Sequence, residues 1–124
     1  MRAFKTRTFC RWALREALPD RELCRALREM QAGLIDAHLG GGLIKKRIRR
    51  AGQGKRGSYR TLVATNLLHR WIFMHGFAKS ERSNIDAGEL VTLKRLASAY
   101  LGMDTTQLQE ALKRGELVEI EDGE

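Results

Sequence analysis

The sequence predicts an α+β domain, a twisted antiparallel sheet with N-terminal and C-terminal helices packed on it, and three observations lead there. Apolar residues recur at three- and four-residue spacing in the first third of the chain and again in the last, the period of an amphipathic helix. Between them, residues 43–50, 59–66 and 70–77 have strand composition and are separated by a glycine-rich stretch and by the short Leu67-Leu68-His69 connection. Only one of the 124 residues is proline and 43% are apolar. That size and composition fit one domain over residues 1–124 and exclude the disordered, collagen-like and low-complexity classes.

The elements follow in order. Residues 2–6 read as a short strand, and residues 7–17 as a helix with Phe9, Trp12 and Ala13 on one stripe. Pro19-Asp20 opens a second helix, in which Leu23, Ala26, Leu27, Met30 and Leu34 keep helical spacing and Gly33 is placed to end it. Gly40-Gly41-Gly42 is a turn into the strand 43–50, and Gly52, Gly54 and Gly57 mark a loop. Residues 59–66 and 70–77 form two more strands joined through Leu67-Leu68-His69, without the usual Asn-Gly hairpin chemistry. The second of them is apolar on both faces, as a central strand is. Asp86-Ala87-Gly88-Glu89 and Asp104-Thr105-Thr106-Gln107 have capping-box spacing. The first opens a helix carrying Leu90, Leu93, Ala97 and Tyr100, the second a short helix carrying Leu108, Ala111 and Leu112 that Gly115 stops. Residues 116–120 read as a last strand or an extended tail.

Charge is distributed unevenly. Of 23 basic and 15 acidic residues, the first 60 positions hold 16 and 5, a net excess that favours an anionic partner. The stretch 45–60 carries Lys45, Lys46, Arg47, Arg49, Arg50, Lys55, Arg56 and Arg60 with no acid, a density that repels itself unless a polyanion lies opposite. Cys10 and Cys24 are too few for a disulfide framework and fit reduced thiols in the cytoplasm. No Cys/His spacing suits zinc, so neither metal nor cofactor is expected. His38, His69 and His75 form no catalytic pattern and read as ordinary. The amino terminus breaks into charge at Arg2, Lys5 and Arg7, and no stretch is apolar enough to span a membrane.

Taken as a strand, residues 43–50 put Lys45, Arg47 and Arg49 on one face and Ile44 and Ile48, with Lys46 and Arg50, on the other. Lys55 and Arg56 follow in the glycine loop, and Arg60 starts the next strand beside Tyr59. Lys79 and Arg82 follow the central strand, whose end lies beside the start of 59–66 in an antiparallel pair, so Arg60 and Lys79 are expected to converge. Tyr59, Trp71, Phe73 and Phe77 are expected in the core. Such a cation set suits phosphodiester cleavage by an adjacent 2′-oxygen, which requires a proton acceptor, a proton donor and cations around the phosphorane. Arginine clamps phosphate, and a lysine crowded by cations is pushed toward deprotonation.

The segments Leu34–Arg47, Gly52–Thr61 and Gly76–Ile85 resemble the RelE/HigB-type toxins of bacterial type II toxin–antitoxin modules, and the resemblance covers about residues 3–120. It implies a small α+β fold and an mRNA interferase that cuts translated message in the ribosomal A site, leaving a cyclic phosphate. It also implies a cognate antitoxin, commonly of helix-turn-helix type, through which alone operator DNA is engaged. By position, Arg60 matches the family's phosphate-stabilising arginine. Lys45, Arg47 and Lys55 fall on its basic strand and loop, and Lys79 and Arg82 on its basic positions after the central strand. Ser80 stands where the best-known RelE proteins have arginine, and Asp86 where they have a substrate-orienting tyrosine. Proton transfer therefore falls to Lys55 or Lys79, with Arg47 and Arg60 clamping the phosphate and Lys45, Arg49, Arg56 and Arg82 holding RNA.

Two other functions share this scaffold. One is a non-catalytic inhibitor of a protein target such as gyrase, in the manner of ParE-type toxins, and the other an RNA-binding module without turnover. An inhibitor of a protein target has no need of Arg60, Lys55 and Lys79 in convergence.

Overall fold

Thr6 ends the first strand and starts the first helix. Its hydroxyl accepts the Phe9 amide N–H at 3.1 Å, so β1 (Arg2–Thr6) passes into α1 (Arg7–Arg15) with no loop. The computed structural model describes residues 2–49, 57–80 and 84–121. Pro19 precedes α2 (Asp20–Gln31), whose first turn carries Asp20 and Glu22, acids that suit the positive end of the helix dipole. Leu23, Ala26, Leu27 and Met30 are buried as their spacing predicts. Leu34 departs from the expected stripe: the helix has ended before it, Gly33 turns the chain at φ +94°, and the Leu34 side chain is 59% exposed.

Next come β2 (Ala37–Gly40) and β3 (Leu43–Arg49), joined by a turn in which Gly40, Gly41 and Gly42 all have positive φ. β2 has no strong strand pattern and was not expected. β4 (Ser58–Thr65) and β5 (Arg70–Ala78) follow. Their turn replaces Asn-Gly chemistry with the Asn66 side chain, whose Oδ1 accepts the amide N–H groups of Leu68, His69 and Arg70 while Leu67 takes φ +66°. Asp86 and Asp104 close full capping boxes on α3 (Ala87–Leu101) and α4 (Thr105–Lys113), and β6 (Leu117–Glu119) ends the sheet.

The strand order is β2-β3-β4-β5-β1-β6. β3 through β5 are antiparallel neighbours as expected, β2 adds an antiparallel edge to β3, and β1 lies parallel to β5 and pairs β6 on its other side. A parallel neighbour needs a long connection, and α1, α2 and the strands β2 through β4 all lie in the chain between β1 and β5. Helices cover both faces. On one, Phe9, Trp12, Leu23, Leu27 and Met30 meet Ile44, Ile48, Tyr59, Val63, Trp71 and Phe73. On the other, Leu93, Ala97, Leu108 and Ala111 meet Phe4, Leu43, Leu62, Ala64, Ile72 and Met74. Among the described residues, no helix is long and apolar enough to cross a membrane.

The register of β5 shifts between Leu62 and Val63 of its partner. Upstream, odd-numbered Trp71 and Phe73 face α1 and α2 while Ile72 and Met74 face α3. Downstream the parity is reversed. Leu62 pairs His75 and Arg60 pairs Phe77, whereas Gly76 and Ala78 turn to the α1 side. Gly76 is glycine for a packing reason: a Cβ there would lie 2.3 Å from the Trp12 ring.

Candidate nucleic-acid interface

Residues opposite one another in an antiparallel pair share a face. The registers therefore define three rows across β3, β4 and β5 on the α3 side of the sheet: Lys45–Leu62–His75, Arg47–Arg60–Phe77, and Arg49–Ser58 with Lys79. Lys79 joins the last row through its backbone, its N–H donating to the Ser58 carbonyl at 3.1 Å. α3 packs where Leu43, Leu62 and Ala64 are buried, and toward the far end of the strands exposure rises. Lys45, Ser58, Arg60 and His75 are half-buried, and Arg47, Arg49 and Lys79 are exposed.

Local contacts tune individual cations. Arg60 Nη1 donates to Ser58 Oγ at 2.8 Å, which holds the guanidinium toward the third row. The Arg47 backbone N–H donates to Asp36 Oδ2 at 2.6 Å, and its guanidinium lies 3.9 Å from Asp36 Oδ1. Asp36 thus fastens the edge of β3 beyond the end of β2. Its attraction for so exposed a guanidinium is worth under ~1 kcal/mol. Lys46 points to the opposite face and is not part of this set. It is 6% exposed, its ammonium 2.9 Å from Glu29 Oε1 and 2.9 Å from the Leu34 carbonyl. A groove of about 1060 Å³ runs between α2 and β3, with Glu22, Glu29 and Asp36 lining one part and Arg47, Arg49, Ser58 and Lys79 another.

Of the residues the sequence singles out, five stand on one sheet face: Lys45, Arg47, Arg49, Arg60 and Lys79. Lys55, Arg56 and Arg82 lie outside the described residues. Tyr59, Trp71, Phe73 and Phe77 are core side chains, as expected. Sequence reasoning missed Ser58, which orients Arg60, and His75, which the β5 bulge turns onto the basic face. Strand alternation places Ser58 on the face of Arg60, two residues on, but carries no signal for His75, which depends on the bulge.

The arrangement defines a class before it defines a family: a small α+β protein whose mostly antiparallel sheet is sealed by helices at one end and presents arginine and lysine at the other. The chain matches the family model described as RelE toxin of RelE / RelB toxin-antitoxin system over residues 1–120, and it belongs to that family. It is thus a toxin of a toxin–antitoxin system, and the family implies an antitoxin partner. No curated protein and no solved structure matches it.

Proposed function

We propose that this toxin is a ribosome-dependent endoribonuclease, a single domain of residues 1–124 that acts in the cytoplasm on translated mRNA. In this reading a helix-turn-helix antitoxin neutralises it and carries it to operator DNA. The observation that supports the reading is the direct cross-strand pairing of Arg47 with Arg60, flanked by Arg49, Ser58 and Lys79 at the open end of the sheet. Cβ atoms so paired are about 4.5–5.5 Å apart, a spacing from which two guanidinium groups grip one phosphodiester. They offset the charge that gathers on the phosphorane as the 2′-oxygen attacks. Lys55 and Lys79 are the candidate proton-transfer groups, and Lys45, Arg56 and Arg82 extend the cationic track for RNA.

The test is expression from a tight promoter with mapping of message 5′ ends. The intact toxin is expected to arrest growth and generate new in-frame ends. Arg60→Ala is expected to lower cleavage by about 10²–10³-fold, as loss of one charge-stabilising donor does, with an unchanged unfolding transition. Growth arrest with intact message and a DNA-damage response overturns the reading in favour of a ParE-type inhibitor. Salt-sensitive RNA binding without cleavage on translating ribosomes overturns it in favour of a simple RNA-binding module.

A further inference from the structure

We propose that His75 is the proton acceptor of this site, taking the 2′-hydroxyl proton of the bound RNA. This rests on the endoribonuclease reading above. The carrying observation is the β5 bulge. Without it, His75 would continue the alternation of Trp71 and Phe73 and face α1; with it, His75 pairs Leu62 on the face of Arg60 and Phe77. Bulges commonly re-aim a side chain beside a functional site. Arg60 pairs Phe77, two residues from His75, so Arg60 and His75 are diagonal neighbours at about 7–8 Å. A phosphate gripped by the Arg60 guanidinium lies within reach of the imidazole from that distance. The His75 ring sits 6.1 Å from that of Phe77, at the boundary between the helix-covered apolar end and the open basic end.

The other described polar side chains of the three rows are lysine, arginine and serine, and lysine and arginine ordinarily keep their protons at neutral pH. Imidazole ordinarily titrates near neutrality and has an acceptor nitrogen in its neutral form. The step balances without a co-reactant. The 2′-O–H proton passes to an imidazole nitrogen as the 2′-oxygen bonds phosphorus, and the P–O5′ bond breaks. The 5′-oxygen leaves with a proton from a lysine ammonium, Lys79 being the described candidate, to give a 2′,3′-cyclic phosphate and a 5′-hydroxyl. The charged groups of the rows around this position are Lys45 on β3, Arg60 on β4 and Lys79 just past the end of β5. From α3, Glu89 stands in the first turn and Lys94 beside Gly40 and Gly41.

The test compares the wild type, Arg60→Ala, His75→Gln and His75→Ala on translating ribosomes programmed with a defined message, across pH 5–9. Wild-type cleavage is expected to fall as the pH is lowered and the acceptor nitrogen takes a proton from solvent. His75→Gln is expected to lose that acid limb and about 10²–10⁴ of the rate, while keeping RNA affinity and its unfolding transition. Added imidazole is expected to restore cleavage by His75→Ala. If His75→Gln fails to fold, His75→Asn carries the same reading. A His75→Gln toxin with wild-type rate and pH profile, beside a dead Arg60→Ala toxin, overturns the proposal and leaves the endoribonuclease reading standing. A wild-type toxin that cuts no message overturns both.

Discussion

Lys46 and Arg47 are adjacent in β3 and differ in every physical respect that matters. Lys46 is packed against α2, its charge matched by Glu29 and its remaining bonding taken by the Leu34 carbonyl. Arg47 stands on the other face with a side chain 58% exposed, opposite Arg60, and among the described residues a long contact to Asp36 is what balances it. Burial makes an unpaired cation costly, so the covered face accepts one only with its partners built in. The open face tolerates a surplus because water solvates it. Coverage by the flanking helices therefore separates a packed, paired cation from a solvent-facing one within a single run of charge.

The sharpest way to break this contrast is to open the covered face. Trp12 packs on Phe9 and Tyr59, with ring centroids 5.3 and 5.1 Å away, and over Gly76. Trp12→Ala is expected to cost about 3–5 kcal/mol in urea-induced unfolding, as loss of a buried aromatic does. A Gly76→Val toxin is expected to lose stability too, because its new side chain occupies the space of the Trp12 ring. Full stability in either variant would remove the basis for calling this face closed.

A smaller effect sharpens the comparison within β3. Lys46→Ala is expected to cost about 1–3 kcal/mol, since it strands the Leu34 carbonyl and unpairs Glu29. Arg47→Ala is expected to stay within about 0.5 kcal/mol of wild type yet weaken RNA binding and flatten its salt dependence. Equal stability losses in parallel denaturation curves would erase the distinction between the two cations.

The smallest expected effect lies at the far edge of the sheet. There Arg2 reaches Glu119 across β1 and β6 through two hydrogen bonds of 2.9 and 3.0 Å. These bonds, helped by the charge of Arg2, hold the Glu119 carboxyl below its ordinary range against a smaller opposing effect of burial. A carboxylate depressed in this way stabilises the fold above its unfolded pKa, and the contribution is lost as pH falls through the folded value. Both side chains are well exposed, so Glu119→Gln is expected to cost less than ~1 kcal/mol near neutrality. That gap from wild type is expected to narrow only as the pH falls below the ordinary glutamate pKa of about 4.3 and on through the lower folded value. A gap that widens on acidification would contradict the assigned sign.

Most of the helices and the central strands were legible without coordinates because their signals are local. The Phe9–Trp12–Ala13 stripe, the two aspartate capping boxes, the Gly-Gly-Gly turn and the alternation of β3 each depend on a few neighbouring residues. So did half of the candidate site, since Lys45, Arg47 and Arg49 share a face by strand period alone. Local spacing also misled once: Leu34 keeps the helical interval of α2 but lies past its end, where only its backbone is used, to hold Lys46.

What the chain's own order determined, then, was where each segment folds and which residues alternate within it. Tertiary structure decided which segments lie side by side. β1 pairs in parallel with β5 across 65 or more residues of sequence, and β2 exists as a strand because β3 offers it an edge. The bulge against Leu62 reverses the parity of β5, bringing His75 onto the same face as Arg60. A bulge belongs to a pair of strands rather than to either one, and so no periodicity read along a single strand contains it.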